Sequence, residues 1–427
     1  MRFPLLVPLR HRDFALMWIG LLLTSAGTWM QQFALGWLVV QIAVAEGHGE
    51  RGALYLGVVA AARAIPGIVF GVVAGAVADR TDRRRLILRN QVWNITVIAI
   101  LAALSAAGWL TLPAIVAGTF ALAVTTSFDA AVRSSVITRL IPRDILPSGI
   151  GLHLMGSNTA QIVGPLVGGL LILPIGVTGI LAVNVLLGFP IIGALLAMRT
   201  PLTDPSVSLT RPSMASSIRE GFAYVWRDPV FRPMFVLLLL VALLGRPYMQ
   251  LLPAFANQQL HAGAVELSWL LGVTGVGALV GSLLTSVVGS GPRLGTSVVL
   301  AAGAFGLVAF LFALQTEIVP ALVLMAAVGA GQYLHAGLHV TTYQARTPPH
   351  LIGRVIGASQ MIPIGLMPLG ALALGSLGTL IGVGTALQLG ALALVAATIV
   401  VLASAPALRQ HERAIAPSGG LIVPSDR

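Results

Sequence analysis

Long, nearly uninterrupted apolar runs dominate the chain, and short clusters of arginine, proline and glycine divide them. The runs fall near 14–43, 53–78, 87–107, 110–132, 149–172, 175–198, 234–256, 267–289, 295–315, 318–343, 355–381 and 383–405. A bilayer-spanning helix needs about 20 mostly apolar residues, because inside the membrane every backbone N–H and C=O must be satisfied within the segment. Each run is long enough. The stretches 87–132 and 149–198 are too long for one pass and must each fold back. Gly108, Pro174 and Gly382 mark the tightest predicted turns. The pattern therefore predicts an all-α integral membrane protein of twelve transmembrane helices.

The longest hydrophilic stretch, Arg199 to Arg232, separates two sets of six spans. It divides the chain into an N-terminal bundle (1–198), a linker (199–232), a C-terminal bundle (233–405) and a tail (406–427). Within the linker, Ser216 to Trp226 interleaves Ile218, Phe222, Tyr224, Val225 and Trp226 with Arg219 and Glu220, the pattern of a surface-lying amphipathic helix. The halves echo each other. Pro142-Arg143-Asp144-Ile145-Leu146 before span five has a counterpart in Pro349 to Arg354 before span eleven, and Gly71 and Gly75 in span two have counterparts in Gly277 and Gly281 of span eight. Such repeats are common in transporters, where the substrate site lies between them near the midplane.

Of 427 residues, 57% are hydrophobic and 9% charged, against roughly 25% charged in soluble domains. All 25 basic residues are arginine, and cysteine is absent, which excludes disulfide and thiolate chemistry. The net charge of +11 is scattered over short loops, so it points to anionic lipid headgroups rather than nucleic acid. With the N-terminus inside, every arginine except Arg51, Arg63 and Arg246 falls on the inner side, while Glu46, Glu50, Glu266 and Glu317 fall outside. The positive-inside bias thus predicts both termini in the cytoplasm and a multi-pass protein of a bacterial plasma (inner) membrane.

Two segments carry more specific patterns. After span two the chain reads Gly75-Ala-Val-Ala-Asp79-Arg80-Thr-Asp82-Arg83-Arg84-Arg85, a small residue for close helix approach, acids able to pair, and an arginine cluster that anchors a cytoplasmic turn. Span five carries Gly151 and then Gly164-Pro165-Leu-Val-Gly168-Gly169, where proline removes a helix hydrogen bond and the glycines permit close packing. The first resembles motif A of the major facilitator superfamily and the second its antiporter motif C, with Asp82 and Ala160 where glycine is commoner. Leu9-Arg-His-Arg12-Asp-Phe14, Phe128-Asp129, Leu140 to Leu146, Arg227-Asp228-Pro229, Leu252-Pro253-Ala-Phe255 and Gly353-Arg354-Val355 further resemble the transmembrane secretion effector branch, which includes enterobactin exporters and macrolide efflux proteins. The resemblance implies two pseudo-symmetric six-helix bundles, with helices one, four, seven and ten lining a central cavity. It also implies a cytoplasmic gate at Gly75, Asp79, Arg80, Arg83 and Arg84, in which Asp129 is the arginines' partner.

Polar side chains are costly in lipid and tend to face a bundle interior. Span one carries Thr24, Thr28, Gln31 and Gln32; span four Thr119, Thr126 and Asp129; span seven Arg246, Tyr248 and Gln250; span ten Gln332, His335, His339 and Thr342. Spans three, six, nine and twelve hold only isolated polar residues such as Asn184 and Gln388, and are expected to face lipid. Arg63, roughly 15 Å of helix from the outer end of span two, and Arg246, followed by Pro247, could meet an anionic or carbonyl-rich substrate or bond to neighbouring carbonyls. His335 and His339 are proton candidates, because an unperturbed histidine titrates near 6.5. The candidate cavity is thus Gln31, Gln32, Arg63, Thr126, Arg246, Tyr248, Gln332, His335 and His339.

The expected activity is secondary transport, a proton-coupled export of small amphiphilic or hydrophobic molecules by a monomer. An importer, or a non-transporting receptor or scaffold, are the alternatives. No phosphate-binding loop, metal-ligand spacing or nucleophile motif is present, so neither an enzyme, a metal nor a cofactor is expected.

Overall fold

Each apolar run forms helix in the computed structural model, which describes the backbone of residues 4–200, 202, 214–291 and 293–405, and their side chains except at 4, 5, 68, 71–80, 129–135, 137, 138, 143 and 214–218. The helices are α1 (Arg12–Ala45), α2 (Gly52–Arg80), α3 (Arg83–Ala106), α4 (Leu112–Leu140), α5 (Leu146–Leu187), α6 (Phe189–Ala197), α7 (Met214–Arg227), α8 (Phe231–Leu240), α9 (Tyr248–Gln258), α10 (Ala264–Val288), α11 (Leu294–Ala313), α12 (Ile318–Arg346), α13 (Ile352–Ile381) and α14 (Val383–Ser404). Among the described residues nine helical runs are long and apolar enough to cross a membrane.

One of those runs, Leu146–Ala197, is a hairpin. Along its first leg, Gly156 lies against Trp18, Gly164 against Trp29 and Gly168 against Phe33, so it runs parallel to α1. Beyond the break the order inverts, with Asn184 at Gln31, Ile191 at Gly20 and Thr200 at Asp13. The reversal lies at Gly176, at φ 62° and ψ −173°, and not at Pro174, whose ring is accommodated in the helix. A positive φ is open to glycine without steric cost, whereas proline is fixed near −65°. Gly108 and Gly382, by contrast, take positive φ where turns were expected.

α1 is clasped between the two legs. Built-in side chains at Gly164 or Gly20 would strike Trp29 or the Ile191 backbone at 2.6 and 2.8 Å, so these glycines set the separation of the helices. Close packing of small residues is the main way helices associate when lipid is as apolar as they are. Asn184, expected on a lipid-facing span, is 3% exposed and donates to the Gln31 Oε1 at 2.7 Å. Other isolated polar residues of the outer helices are spent likewise, Gln91 on the Gly188 carbonyl and Gln388 on that of Ala313.

The repeat is visible in the packing. α2 lies on α4 as α10 lies on α12, and in the second pair Gly277 and Gly281 meet the carbonyls of Ala326 and Ala330. The two halves join along α2–α13 and α5–α10. Close approaches there are Gly57 to Leu372, Gly375 to Ala53, and Gly169 to Ser268, while Gln258 donates to the Gly49 carbonyl at 2.7 Å. All four lie toward the arginine-poor ends of the helices, and close that side.

Two helices differ from expectation. α4 continues to Leu140, which puts Arg133 and Arg139 on helix rather than in a loop. The seventh run is broken into α8 and α9 by a π turn, Val241–Gly245. The amphipathic linker helix forms as α7, and packs on α13 with Glu220 bonded to Arg354 at 2.6 Å.

Candidate functional site

The break in the seventh run organises a polar centre. Pro247 has no N–H and cannot continue the helix ladder, and the Arg246 N–H reaches back five residues to the Val241 carbonyl at 2.9 Å. The extra residue re-phases the chain, so that α9 begins with Tyr248 turned onto α12. There the Tyr248 hydroxyl donates to Gln332 Oε1 at 2.6 Å, both side chains being buried.

Gln332, His335, His339 and Thr342 follow one another on α12 at helical spacing, and all are buried. The His335 and His339 rings are 5.6 Å apart. His339 Nε2 lies 3.2 Å from the Met234 carbonyl, an acceptor, so that nitrogen carries a hydrogen and donates it. Arg246 stands within electrostatic reach of Tyr248, Tyr333 and His335. Three atoms of this group, Arg246 Nε, Gln250 Oε1 and His335 Nε2, are buried with no hydrogen-bond partner. A buried unpartnered polar group costs about 1–3 kcal/mol, and these three lie on side chains of one polar centre.

The candidates of the N-terminal half do not converge in this way. Gln31 is committed to Asn184, Gln32 is half-buried, and Thr126 is exposed with its hydroxyl turned back to the Ala123 carbonyl. Arg63 is exposed.

Of the arginine-rich turn, Asp82 caps α3 by accepting from the Arg85 N–H at 3.0 Å, and Arg84 donates to the Leu196 carbonyl at 2.9 Å. Arg83 reaches the Leu202 carbonyl. The turn thus holds the end of α6. The side chains of Gly75, Asp79, Arg80 and Asp129 lie outside the described residues, and with them the expected pairing of Asp129. In the glycine-proline segment, Gly164 and Gly168 face α1, Gly169 faces α10, Pro165 is buried and Gly151 half-buried. One helix thereby touches both its own half and the other. Among the described residues no His, Asp and Glu cluster could hold a metal ion.

Two tyrosines outside the Arg246, Gln250 and His335 trio were not among the expected residues. Tyr333 donates to Gln161 at 3.0 Å across the seam between halves, a pairing 172 residues apart that no local pattern signals. Tyr343 is fully buried, with its ring 4.6 Å from that of His339. It continues the spacing of residues 332, 335 and 339 and could have been read from it.

A helical chain of two echoing halves around a polar centre at a helix break is the architecture of a membrane transporter. The sequence profile of the family described as transmembrane secretion effector matches residues 4–421, and the chain belongs to that family of the major facilitator superfamily. It is 27% identical over 422 residues to the multidrug efflux pump Tap of Mycobacterium tuberculosis, covering 92% of this chain and 93% of the relative. Macrolide efflux protein A of Enterococcus faecalis is 23% identical over 318 residues, covering 72% of this chain and 95% of that protein. The fold is similar to the crystal structure of the nucleoside transporter NupG, with a TM-score of 0.73 at 13% identity, covering 92% of this chain and 98% of that one.

Proposed function

We propose that this transporter exports small amphiphilic or hydrophobic molecules from a bacterial cell by alternating access, taking up protons in exchange. Twelve spans with both termini in the cytoplasm is the topology that goes with this reading. The observation that carries it is the trio of unpartnered polar atoms on Arg246, Gln250 and His335. They offer a guanidinium donor, an amide acceptor and an imidazole to one ligand, while the surrounding helices are apolar. The names of the efflux relatives supply the direction and the substrate class.

The contacts at the arginine-poor ends support loading from the arginine-rich side. With Gly57 on Leu372 and Gly169 near Ser268, that end has no room for a substrate, and the two halves must rock apart there to release one. The gate residues Gly75, Asp79, Arg80, Arg83, Arg84 and Asp129 would then close the opposite side. Glycines of the Gly164–Gly169 segment would carry the sliding of α5 between its two partners.

The test is flux in proteoliposomes, with ethidium and erythromycin as probes and an imposed pH gradient. Export-direction flux driven by the gradient is expected from wild type. Arg246→Ala should weaken the flux of erythromycin, whose carbonyl and hydroxyl oxygens can accept from the guanidinium, about tenfold or more, the worth of one charge-assisted hydrogen bond. Equal flux from empty liposomes and from wild-type protein, for both probes and for gradients of either sign, would overturn the transport reading.

A further inference from the structure

A row of buried polar atoms extends beyond the proposed substrate site. His335 Nε2, the Tyr343 hydroxyl, Arg346 Nε and the Thr347 hydroxyl all lie along α12 and just past its end, and each is buried with no hydrogen-bond partner. His335, Tyr343 and Thr347 are 2%, 0% and 6% exposed. With His339 between the first two, positions 335, 339, 343 and 347 follow one another at four-residue steps, from the polar centre down to the arginine-rich end. Rings fill the intervals: His335 to His339 at 5.6 Å, His339 to Tyr343 at 4.6 Å, and Tyr343 to Phe231 at 4.9 Å.

Each orphan would cost about 1–3 kcal/mol if left dry, and internal waters characteristically settle where several buried polar groups lack protein partners. At the arginine-rich end, Tyr224 lies within reach of both Arg346 and Asp228. Asp228 there accepts from the Val230 and Phe231 N–H groups at 2.8 and 3.0 Å. At the other end Arg246 and Gln250 keep part of their side chains accessible. The row thus connects a carboxylate near the helix end to the polar centre, inside the C-terminal half.

We infer that the inner face of α12 holds a file of internal water that carries protons between the substrate site and the arginine-rich side, with His335 as its exchange point. This rests on the proton-coupled reading above and gives it a path separate from that of the substrate. A proton arriving from the central opening binds the Nε2 lone pair of neutral His335, making an imidazolium. The same proton then passes to the water of the file, which regenerates the neutral ring and delivers the proton past Tyr343 and Thr347. His339, with its Nε2 hydrogen given to Met234, positions the neighbouring rings and carries no proton itself.

The charged and titratable groups facing His335 are few. Among the described residues they are Arg246 from the broken seventh run and His339 from α12 itself, with Tyr248 (on Gln332) and Tyr343 (on His339) one contact further away. α10 carries only Glu266, in its first turn at the far end, α13 only Arg354, at its start, and α11 and α14 carry none. An imidazolium at 335 therefore stands within electrostatic reach of the Arg246 guanidinium, and among the described residues no carboxylate acts on it. That repulsion favours onward release, and makes proton occupancy compete with a cationic substrate.

Two measurements test the inference. Under X-ray water radiolysis of the full-length protein in nanodiscs, internal water labels adjacent side chains however buried they are. Tyr343 should be oxidised faster than Phe312, equally buried against Phe255, by more than the two free amino acids differ; labelling within that difference overturns the water file. In proteoliposomes, Tyr343→Phe and Thr347→Val should lose pH-driven ethidium flux by about tenfold or more while ethidium counterflow at equal pH stays near wild type. Loss of both fluxes together, or of neither, overturns the proton path. Absence of any flux from wild type is a separate result, the failure of the transport reading itself, and leaves the radiolysis outcome to decide whether the water is there.

Discussion

Tyr333 and Gln161 form the polar bond that crosses between the two halves beside the close-packed α5–α10 seam, hydroxyl to amide oxygen at 3.0 Å. Glycine contacts in the same seam have no direction and slide readily, whereas a hydrogen bond is made or broken. Removing it should shift the balance toward opening of the arginine-poor end by about 1 kcal/mol, roughly fivefold in population. Because the chain has no cysteine, Ala53→Cys provides a reporter on the closed end. In a Tyr333→Phe background this thiol should react severalfold faster with an impermeant maleimide; an unchanged rate would show that the bond does not bias the equilibrium.

Gly164 and Gly176 should both resist substitution, for different reasons. Valine at 164 would strike Trp29 Cβ and the Ala26 carbonyl, prising α5 from α1 at a cost of about 1–3 kcal/mol. At Gly176 a side chain meets nothing within 4 Å, and the strain is in the backbone alone, about 1–3 kcal/mol for alanine at a φ and ψ open essentially to glycine. Thermal unfolding in detergent should therefore fall in both variants. Only Gly164→Val should in addition impair transport in proteoliposomes, since α5 is also the helix that touches the other half.

Gln31 and Asn184 are a buried pair on α1 and the second leg of the α5 hairpin. Asn184→Leu leaves the Gln31 amide oxygen unpaired and should cost about 1–2 kcal/mol. The double variant Gln31→Leu with Asn184→Leu should recover part of that loss. A cycle with no coupling, measured by unfolding in mixed micelles, would remove the pair from any account of stability.

α7 is fastened to α13 by the Glu220–Arg354 ion pair and by Gly221, which leaves room for the Arg354 carbonyl. The ion pair is partly exposed, so Glu220→Gln should cost little, well below about 1 kcal/mol. Gly221→Leu puts a side chain where that carbonyl sits. Hydrogen exchange of residues 214–227 should accelerate markedly in Gly221→Leu and barely in Glu220→Gln. The opposite ranking would make charge, not packing, the fastening.

Most of the helical layout could be read in advance, because length and apolarity are imposed by the bilayer and survive in any one segment. The position of each turn could not always be read. Pro174 looked like the reversal, yet a proline fits a helix whose preceding carbonyls find other partners, and the freedom of Gly176 determined the outcome. The polar centre was half legible: His335, His339 and Arg246 announced themselves as charges and imidazoles in apolar sequence. Gln31 was equally conspicuous, but its partner Asn184 lies 153 residues away, and only the fold reveals that its hydrogen bond is already made. Tyr333 with Gln161 was invisible for the same reason.

The π turn at Val241–Gly245 has one more consequence. A helix advances about 100° per residue, so one surplus residue decides which side of α9 confronts α12. Deleting any one of the five would dial Tyr248 away from Gln332 by about a quarter turn and swing a different set of side chains inward, leaving both flanking helices whole. On the proposed reading of this centre, selectivity is adjustable by a one-residue change in length, a kind of variation that comparing substitutions position by position would overlook.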